Sequence, residues 1–194
     1  MSPLEMNAKS NAMKTNRISS LLHRRKLLVA LLSLIAAVAV TTSIAQQRDK
    51  QKVAGKCTLT LTKQEEVEVG DTEGHTLGIG VWEGTNVSTG FHPFMDGAKI
   101  VVMGFGDLVQ GTGPDQGYSR TIKDGDAVFT RYSGKNTATW RGGAITEATF
   151  EGKFSYISGK GRFQGIQGGA TYKGKFIDKK TAIVESEGEY TIKK

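Results

Sequence analysis

Several charged and aromatic side chains interrupt alternating stretches that are otherwise apolar, and these are the residues whose types could do chemistry. Glu83 and Asp107 each end an apolar run, and Arg120 lies between Tyr118 and Ile122. On an inward-facing surface such charges are costly unless paired, which makes them candidate ligand or acid–base groups. In a second interpretation each lies at a strand end that water reaches. The candidate ligand-binding residues are Trp82, Glu83, Met103, Asp107, Tyr118, Arg120 and Arg131.

The sequence lacks the spacing patterns of common metal and nucleophile sites. After the N-terminal 45 residues, the nitrogen and sulfur ligands are His75, His92 and Cys57, with no H-x-E or C-x-x-C pattern. No G-x-S-x-G sequence marks a nucleophilic serine. Cys57 lies in an alternating run and is predicted to be a buried, small apolar residue. We therefore expect no metal and no cofactor, and the sequence assigns no catalytic residue.

The elements that must position the candidate residues are strands. Beyond residue 56 the sequence shows alternating segments separated by glycine and aspartate turns, with no long 3.6-residue apolar stripe. The predicted strands cover 57–62 with 65–69, 76–88, 98–110, 117–123, 126–132, 145–157, 170–177 and 182–192. Eight closely spaced strands without helices between them predict an all-β antiparallel sandwich or barrel.

The strands are of two kinds, and the difference favours a barrel. The last three segments each have one apolar face and one charged face, which is typical of a wall with one side in water. Segments 76–88 and 98–110 are apolar or small on both faces, so we expect both faces to be covered. Their glycines recur at intervals of two and permit strong curvature. The sequence thus favours a closed, strongly coiled barrel over a flat sandwich.

Residues 1–45 are predicted to be a signal peptide, with a helical segment at its centre. A basic region precedes the 14 uncharged residues Leu27 to Val40, and small residues lead to a cleavage position after Ala45. Met13 is a plausible true start. A 14-residue helix spans about 21 Å, short of the roughly 30 Å hydrocarbon core, so an uncleaved anchor is the weaker alternative. We expect an exported protein, periplasmic or secreted, with no stable membrane span after cleavage, a flexible lead-in over 46–56 and a barrel domain over 57–194.

The positive charge of the chain lies mostly in this N-terminal segment. Residues 1–45 contain six basic residues and one acidic residue, whereas residues 46–194 contain 20 basic and 18 acidic ones. Lysines and glutamates face each other on the predicted closing strands, which leaves no one-sided basic stripe. The composition therefore argues against nucleic acid as a partner.

One glycine-rich stretch carries a family resemblance. Residues 159–172 read GKGRFQGIQGGATY, which resembles the G-x-G-x-[FY]-x-G-x-x-G-x-G-x-[YF] stretch of allene oxide cyclase-like and dirigent-like barrels, with Ala170 at a glycine position. We expect positive φ or close backbone approach at Gly165 and Gly168. The resemblance extends over about 57–194 and is specific in 159–190. It implies a closed eight-stranded antiparallel barrel around an apolar cavity, here in an exported, bacterial-type member. The catalytic acids of those families lie outside the matching stretch and are not carried over.

Three functions fit this sequence. The first is a barrel that binds a small apolar molecule in its lumen, which the export signal favours. The second is a cofactor-free isomerase or cyclase of the allene oxide cyclase or dirigent type. The third is a structural or interaction barrel whose lumen is filled by its own aromatic side chains. The sequence leaves open whether the protein is an enzyme.

Overall fold

The alternating segments form eight strands in the computed structural model, which describes residues 50–193. The strands are β1 (Gln51–Glu68), β2 (His75–Ser88), β3 (Lys99–Val109), β4 (Gly113–Lys123), β5 (Asp126–Arg141), β6 (Ala144–Lys160), β7 (Ile166–Asp178) and β8 (Thr181–Ile192). Each strand pairs with the next in antiparallel fashion, and β8 pairs with β1 to close the barrel. Closure satisfies the backbone groups that an open sheet would leave at its edges.

The predicted fold class, an all-β closed barrel of eight antiparallel strands, is confirmed for the described residues. The predicted helical signal segment, 1–45, lies outside them. A short 3-10 helix (Gly161–Phe163) joins β6 to β7, and no helix within residues 50–193 is long and apolar enough to cross a membrane.

The first strand begins earlier than the sequence pattern indicated. Residues 51–56, expected to be part of a flexible lead-in, pair with β8, from Gln51 opposite Tyr190 to Lys56 opposite Glu185. Val53 is buried in this segment, while Lys52 is exposed. The alternation is difficult to recognise in this segment because it contains lysines and few apolar residues. Only the side chains that point inwards need to be apolar at this end of the strand.

Strands β2 and β3 are covered mainly on one face, whereas the sequence favoured coverage of both faces. Their inward residues are glycines with Trp82, Ile100 and Val102, and these three large side chains line the lumen. The opposite face points to solvent, where Ile79 is 57% exposed and Met103 39% exposed. A single-layer barrel has no second layer outside its wall, so most apolar residues on this outward face stay exposed, although Val101 is only 6% exposed.

One end of the lumen is closed by a plug of apolar side chains. The loop between β2 and β3 supplies Met95 and Ala98, the 3-10 helix supplies Phe163, and both pack with buried residues of the wall. Phe94 adds aromatic contacts at 5.2 Å to Phe163 and 5.0 Å to Tyr190, measured between ring centroids. The plug comprises Phe94, Met95, Ala98, Val128, Tyr156, Phe163, Ile166 and Tyr190.

Polar contacts fix the segments that carry the plug. The Asn86 side-chain amide donates to the carbonyls of Phe94 and Met95 at 2.9 and 3.0 Å. The Arg162 backbone N–H and guanidinium Nε donate to the two carboxylate oxygens of Asp126 at 2.8 and 2.6 Å. These hydrogen bonds lower the pKa of Asp126. They hold both loops against the barrel end.

The glycine-rich stretch behaves as the sequence predicts. Gly165 has a φ of +80° and Gly168 a φ of +116°, both in the region that favours glycine. At each position a Cβ would also collide with a backbone carbonyl of the closing segment, that of Lys193 or of Glu189. These glycines therefore allow the backbone at the start of β7 to lie close to β8 directly after the 3-10 helix.

Candidate functional site

The lumen contains a cavity of about 170 Å³ next to the plug. Aromatic and aliphatic side chains from seven of the eight strands form most of its wall, whereas β4 contributes only polar side chains. The large apolar lining residues are Leu59, Trp82, Phe94, Ile100, Val102, Val128, Phe150, Phe154, Phe176 and Val184. The polar lining side chains include Asp115, Ser119, Thr121, Thr130, Tyr132, Asn136, Tyr156 and Tyr172.

Inward-facing glycines make room for two tyrosines in this wall. The Tyr132 hydroxyl lies over Gly104 of β3, and the Tyr172 hydroxyl lies over Gly152 of β6, where a Cβ would be 2.6 Å from it. The two tyrosine rings meet edge to face with their centroids 5.9 Å apart. Aromatic rings that cover cross-strand glycines restore the packing a strand loses at those positions.

Asp115 is the ionisable group at the centre of the site. It lies on β4 opposite Gly106 of β3 and Gly134 of β5, and its carboxylate accepts a hydrogen bond of 3.3 Å from the Tyr132 hydroxyl. Burial raises the pKa of Asp115 to about 6, although the Tyr132 hydrogen bond acts in the opposite direction. Burial and the neighbouring Asp115 carboxylate also raise the pKa of Tyr132. The carboxyl group thus changes its charge near pH 6 while the tyrosine stays neutral.

Two tyrosine hydroxyls in the lining have no protein partner. Among the described residues, the oxygens of Tyr156 and Tyr172 are buried without a hydrogen bond. The hydroxyls of Ser119 and Thr130, by contrast, satisfy each other at 2.7 Å. A buried polar atom without a partner costs free energy, so Tyr172 offers an unused hydrogen-bonding position beside Asp115.

Cys57 also borders the cavity and is buried, as the sequence predicts. Burial raises the pKa of its thiol to about 11. The thiol is therefore protonated at neutral pH and contributes as a small apolar group, not as a nucleophile. Within residues 50–193 no group of three or more histidine, cysteine, aspartate or glutamate side chains is arranged to hold a metal ion.

Of the seven candidate ligand-binding residues, the structure places only Trp82 in the cavity wall. The other six candidates do not line this cavity, and each lies on the outward face of its strand. Tyr118 is 49% exposed, and Arg120 and Arg131 are also exposed. Met103 and Val102 are neighbours on β3, so placing Val102 in the lumen directs Met103 outwards.

The two acidic candidates contact basic side chains on the outer surface. Glu83 pairs with Lys99 at 2.6 Å, which lowers the pKa of Glu83. Asp107 contacts the His75 Nε2 atom at 2.8 Å, while His75 Nδ1 contacts Asp71 at 2.5 Å. The hydrogen bonds to Asp107 and Asp71 raise the pKa of His75. This histidine connects the loop after β1 to β3 and does not face the cavity.

Sequence reasoning missed Asp115, Tyr132 and Tyr172 as members of one polar group. Asp115 falls in the segment 111–115, whose glycines and proline read as a turn, yet β4 already begins at Gly113. A signal was present, because Asp115 alternates with Gly117 and Ser119, a series of small residues that leaves space on an inward face. The grouping itself depends on strand pairing across the barrel, which one segment does not encode.

Comparison with solved structures finds a dirigent protein among the matches. A pterocarpan synthase dirigent protein matches 75% of this chain and 91% of its own chain, with a TM-score of 0.42 and 13% sequence identity. No protein-family model matches the chain, and no curated protein matches it. The closed eight-stranded antiparallel barrel that the sequence resemblance implies is the architecture of the described residues.

Proposed function

We propose that this chain is an exported barrel that binds one small, largely apolar molecule in its lumen. The observation that carries the proposal is the cavity of about 170 Å³. Its wall is mostly aromatic and aliphatic, and the polar side chains of Asp115, Tyr132 and Tyr172 lie together in one part of it. Ligand sites in proteins commonly combine an apolar wall with a few polar groups that orient the ligand. A lumen filled by its own side chains would leave no such space.

The volume limits the size of the ligand. Pockets for drug-sized molecules commonly measure about 300–1,000 Å³, whereas an apolar cavity of about 150 Å³ takes benzene. The lumen therefore suits a molecule with one six-membered ring and a short substituent. Such a ring would pack against Trp82 and Phe150, and its polar substituent would reach the Asp115 and Tyr172 side chains.

A cofactor-free isomerase or cyclase is the second candidate, and one observation favours it. Asp115 has a pKa raised to about 6 and lies in hydrogen-bonding contact with Tyr132 inside an apolar cavity. A carboxyl group whose pKa lies near the working pH can take a proton from one atom of a bound substrate and return it to another. Conversion of a bound compound by the purified protein alone would distinguish this function from binding.

The binding proposal predicts a fluorescence change at one tryptophan and not at the other. Trp82 lines the cavity, whereas the Trp140 indole N–H bonds the Gln110 carbonyl at 2.9 Å, outside the cavity lining. We expect benzyl alcohol to quench a Trp140→Phe variant saturably and to leave a Trp82→Phe variant unchanged. Equal responses from both variants, or no saturable response in Trp140→Phe, would contradict a lumenal site.

The export proposal predicts a mature protein that begins at Gln46. The basic region, the 14-residue apolar run and the small residues before Ala45 support cleavage at this position. N-terminal sequencing of protein from the exported fraction measures the cleavage directly. A chain that still starts at Met1 or Met13 would refute it.

A further inference from the structure

Asp115 is the one carboxylate among the residues that line the cavity, and no cationic side chain within residues 50–193 pairs with it. In the described part of the chain, no ion pair includes Asp115. Lys56 borders the cavity, but its ammonium nitrogen lies 3.2 Å from Glu185 and its side chain is half exposed. A buried carboxylate without a cation is costly, so a ligand that brings a positive charge would relieve that cost.

The surroundings of Asp115 suit an organic cation better than a metal ion. Tyr132 and Tyr172 meet edge to face beside it, and Phe150 lies 6.4 Å from Tyr172 between ring centroids. The Phe176 ring lies next in this aromatic wall, with its centroid 5.0 Å from that of Phe150, and the Trp82 ring centroid lies 5.7 Å from that of Phe176. Aromatic faces attract ammonium groups, and the attraction is larger where water is excluded.

We propose that the lumen selects a small aromatic amine, whose ammonium group pairs with Asp115 and whose ring packs in the aromatic wall. This inference rests on the proposed binding function and names the chemical class of the ligand. An ammonium group has three hydrogen-bond donors. One would bond the Asp115 carboxylate, and a second would bond the Tyr172 oxygen, which has no protein partner.

The proposal predicts the direction in which the affinity for an amine changes with pH. Asp115 faces Gly104 and Gly106 from β3, Tyr132 and Gly134 from β5, and Tyr172 from β7. Both tyrosines stay neutral because burial raises their pKa values, so Asp115 is the group in this set that changes charge between pH 5 and pH 8. An amine that needs the carboxylate should bind about tenfold more tightly at pH 8 than at pH 5. A neutral molecule of the same shape should gain nothing from the higher pH.

Benzylamine and benzyl alcohol form a matched pair for this test, since they share the ring and differ in the charge of the substituent. Isothermal titration of the purified protein should show benzylamine binding about tenfold more tightly at pH 8 than at pH 5. Benzyl alcohol should bind equally or more weakly at pH 8. Asp115→Asn should abolish the pH dependence and weaken benzylamine at pH 8 by about tenfold, while Asp107→Asn, an acid-to-amide change outside the cavity lining, should leave both affinities unchanged.

The outcomes separate this inference from the binding proposal on which it rests. If benzyl alcohol binds while benzylamine does not, or if Asp115→Asn binds benzylamine as the unmodified protein does, the amine inference is overturned and the lumenal site stands. If neither compound binds, both proposals fail. Benzylamine binding that strengthens towards pH 5 would also overturn the pairing with Asp115.

Discussion

Replacing Asp115 by asparagine should stabilise the barrel at pH 8 by about 2–3 kcal/mol and change its stability little at pH 4. Burial raises the pKa of Asp115 from 3.8 to about 6, so holding the carboxylate inside the folded barrel costs up to about 3 kcal/mol above that pH. Asparagine has nearly the same shape, carries no charge and can still accept the Tyr132 hydrogen bond. Urea unfolding of both proteins at the two pH values measures the difference.

The sign of this effect follows from proton binding. Between pH 3.8 and about 6 the folded protein keeps a proton on Asp115 that the unfolded chain has released. The stability of the unmodified protein therefore falls over this interval relative to the variant, and the difference is constant above it. If the two proteins differ equally at pH 4 and pH 8, or if the variant is less stable at pH 8, the carboxyl group is not buried as described.

Replacing Gly152 by valine should destabilise the barrel by about 3 kcal/mol or more. A Cβ at this position would lie 2.6 Å from both the Gly134 Cα and the Tyr172 hydroxyl, and closer still to the Ser133 carbonyl. Two of these neighbours are backbone of β5, which cannot retreat without breaking its pairing with β6. Valine is otherwise favoured in strands, so a loss of stability identifies the steric cause. The midpoint of urea unfolding reports the change.

Gly78→Val is the matched control for this substitution. Gly78 is also a strand glycine on the inward face, but the nearest atom to its Cβ position is the Glu65 carbonyl oxygen at 3.7 Å. That distance is an ordinary contact, so we expect a change within about 1 kcal/mol. Equal losses of stability in the two variants would show that valine is poorly tolerated in these strands in general. The close backbone contact at Gly152 would then not be the cause.

The sequence predicted the strands well because their signal is local. Alternation and glycine turns locate each strand, and the closing hairpin of β7 and β8 shows its charged face, where Lys173 lies opposite Glu185. The assignment of faces in β2 and β3 could not be made in the same way. Both faces of these strands are apolar or small, and which one points inwards depends on the closure of the whole barrel.

Strand length was underestimated most at two places, for a related reason. Residues 51–56 and 133–141 belong to β1 and β5, although they contain lysine, threonine and asparagine at many positions. They are held by pairing with β8 and β6 rather than by large apolar side chains of their own. The polar group around Asp115 was missed because it assembles from β4, β5 and β7, which only the closed barrel brings together.

The most direct test of the central claim is a crystal structure of the protein soaked with 4-bromobenzyl alcohol. The bromine atom gives an anomalous signal that locates the ligand without assumptions about its orientation. We expect a single strong peak inside the lumen, within the wall formed by Trp82, Phe150 and Phe176, with the hydroxyl group at Asp115 or Tyr172. A lumen occupied by repacked protein side chains, with bromine bound only on the outer surface, would contradict the proposed function.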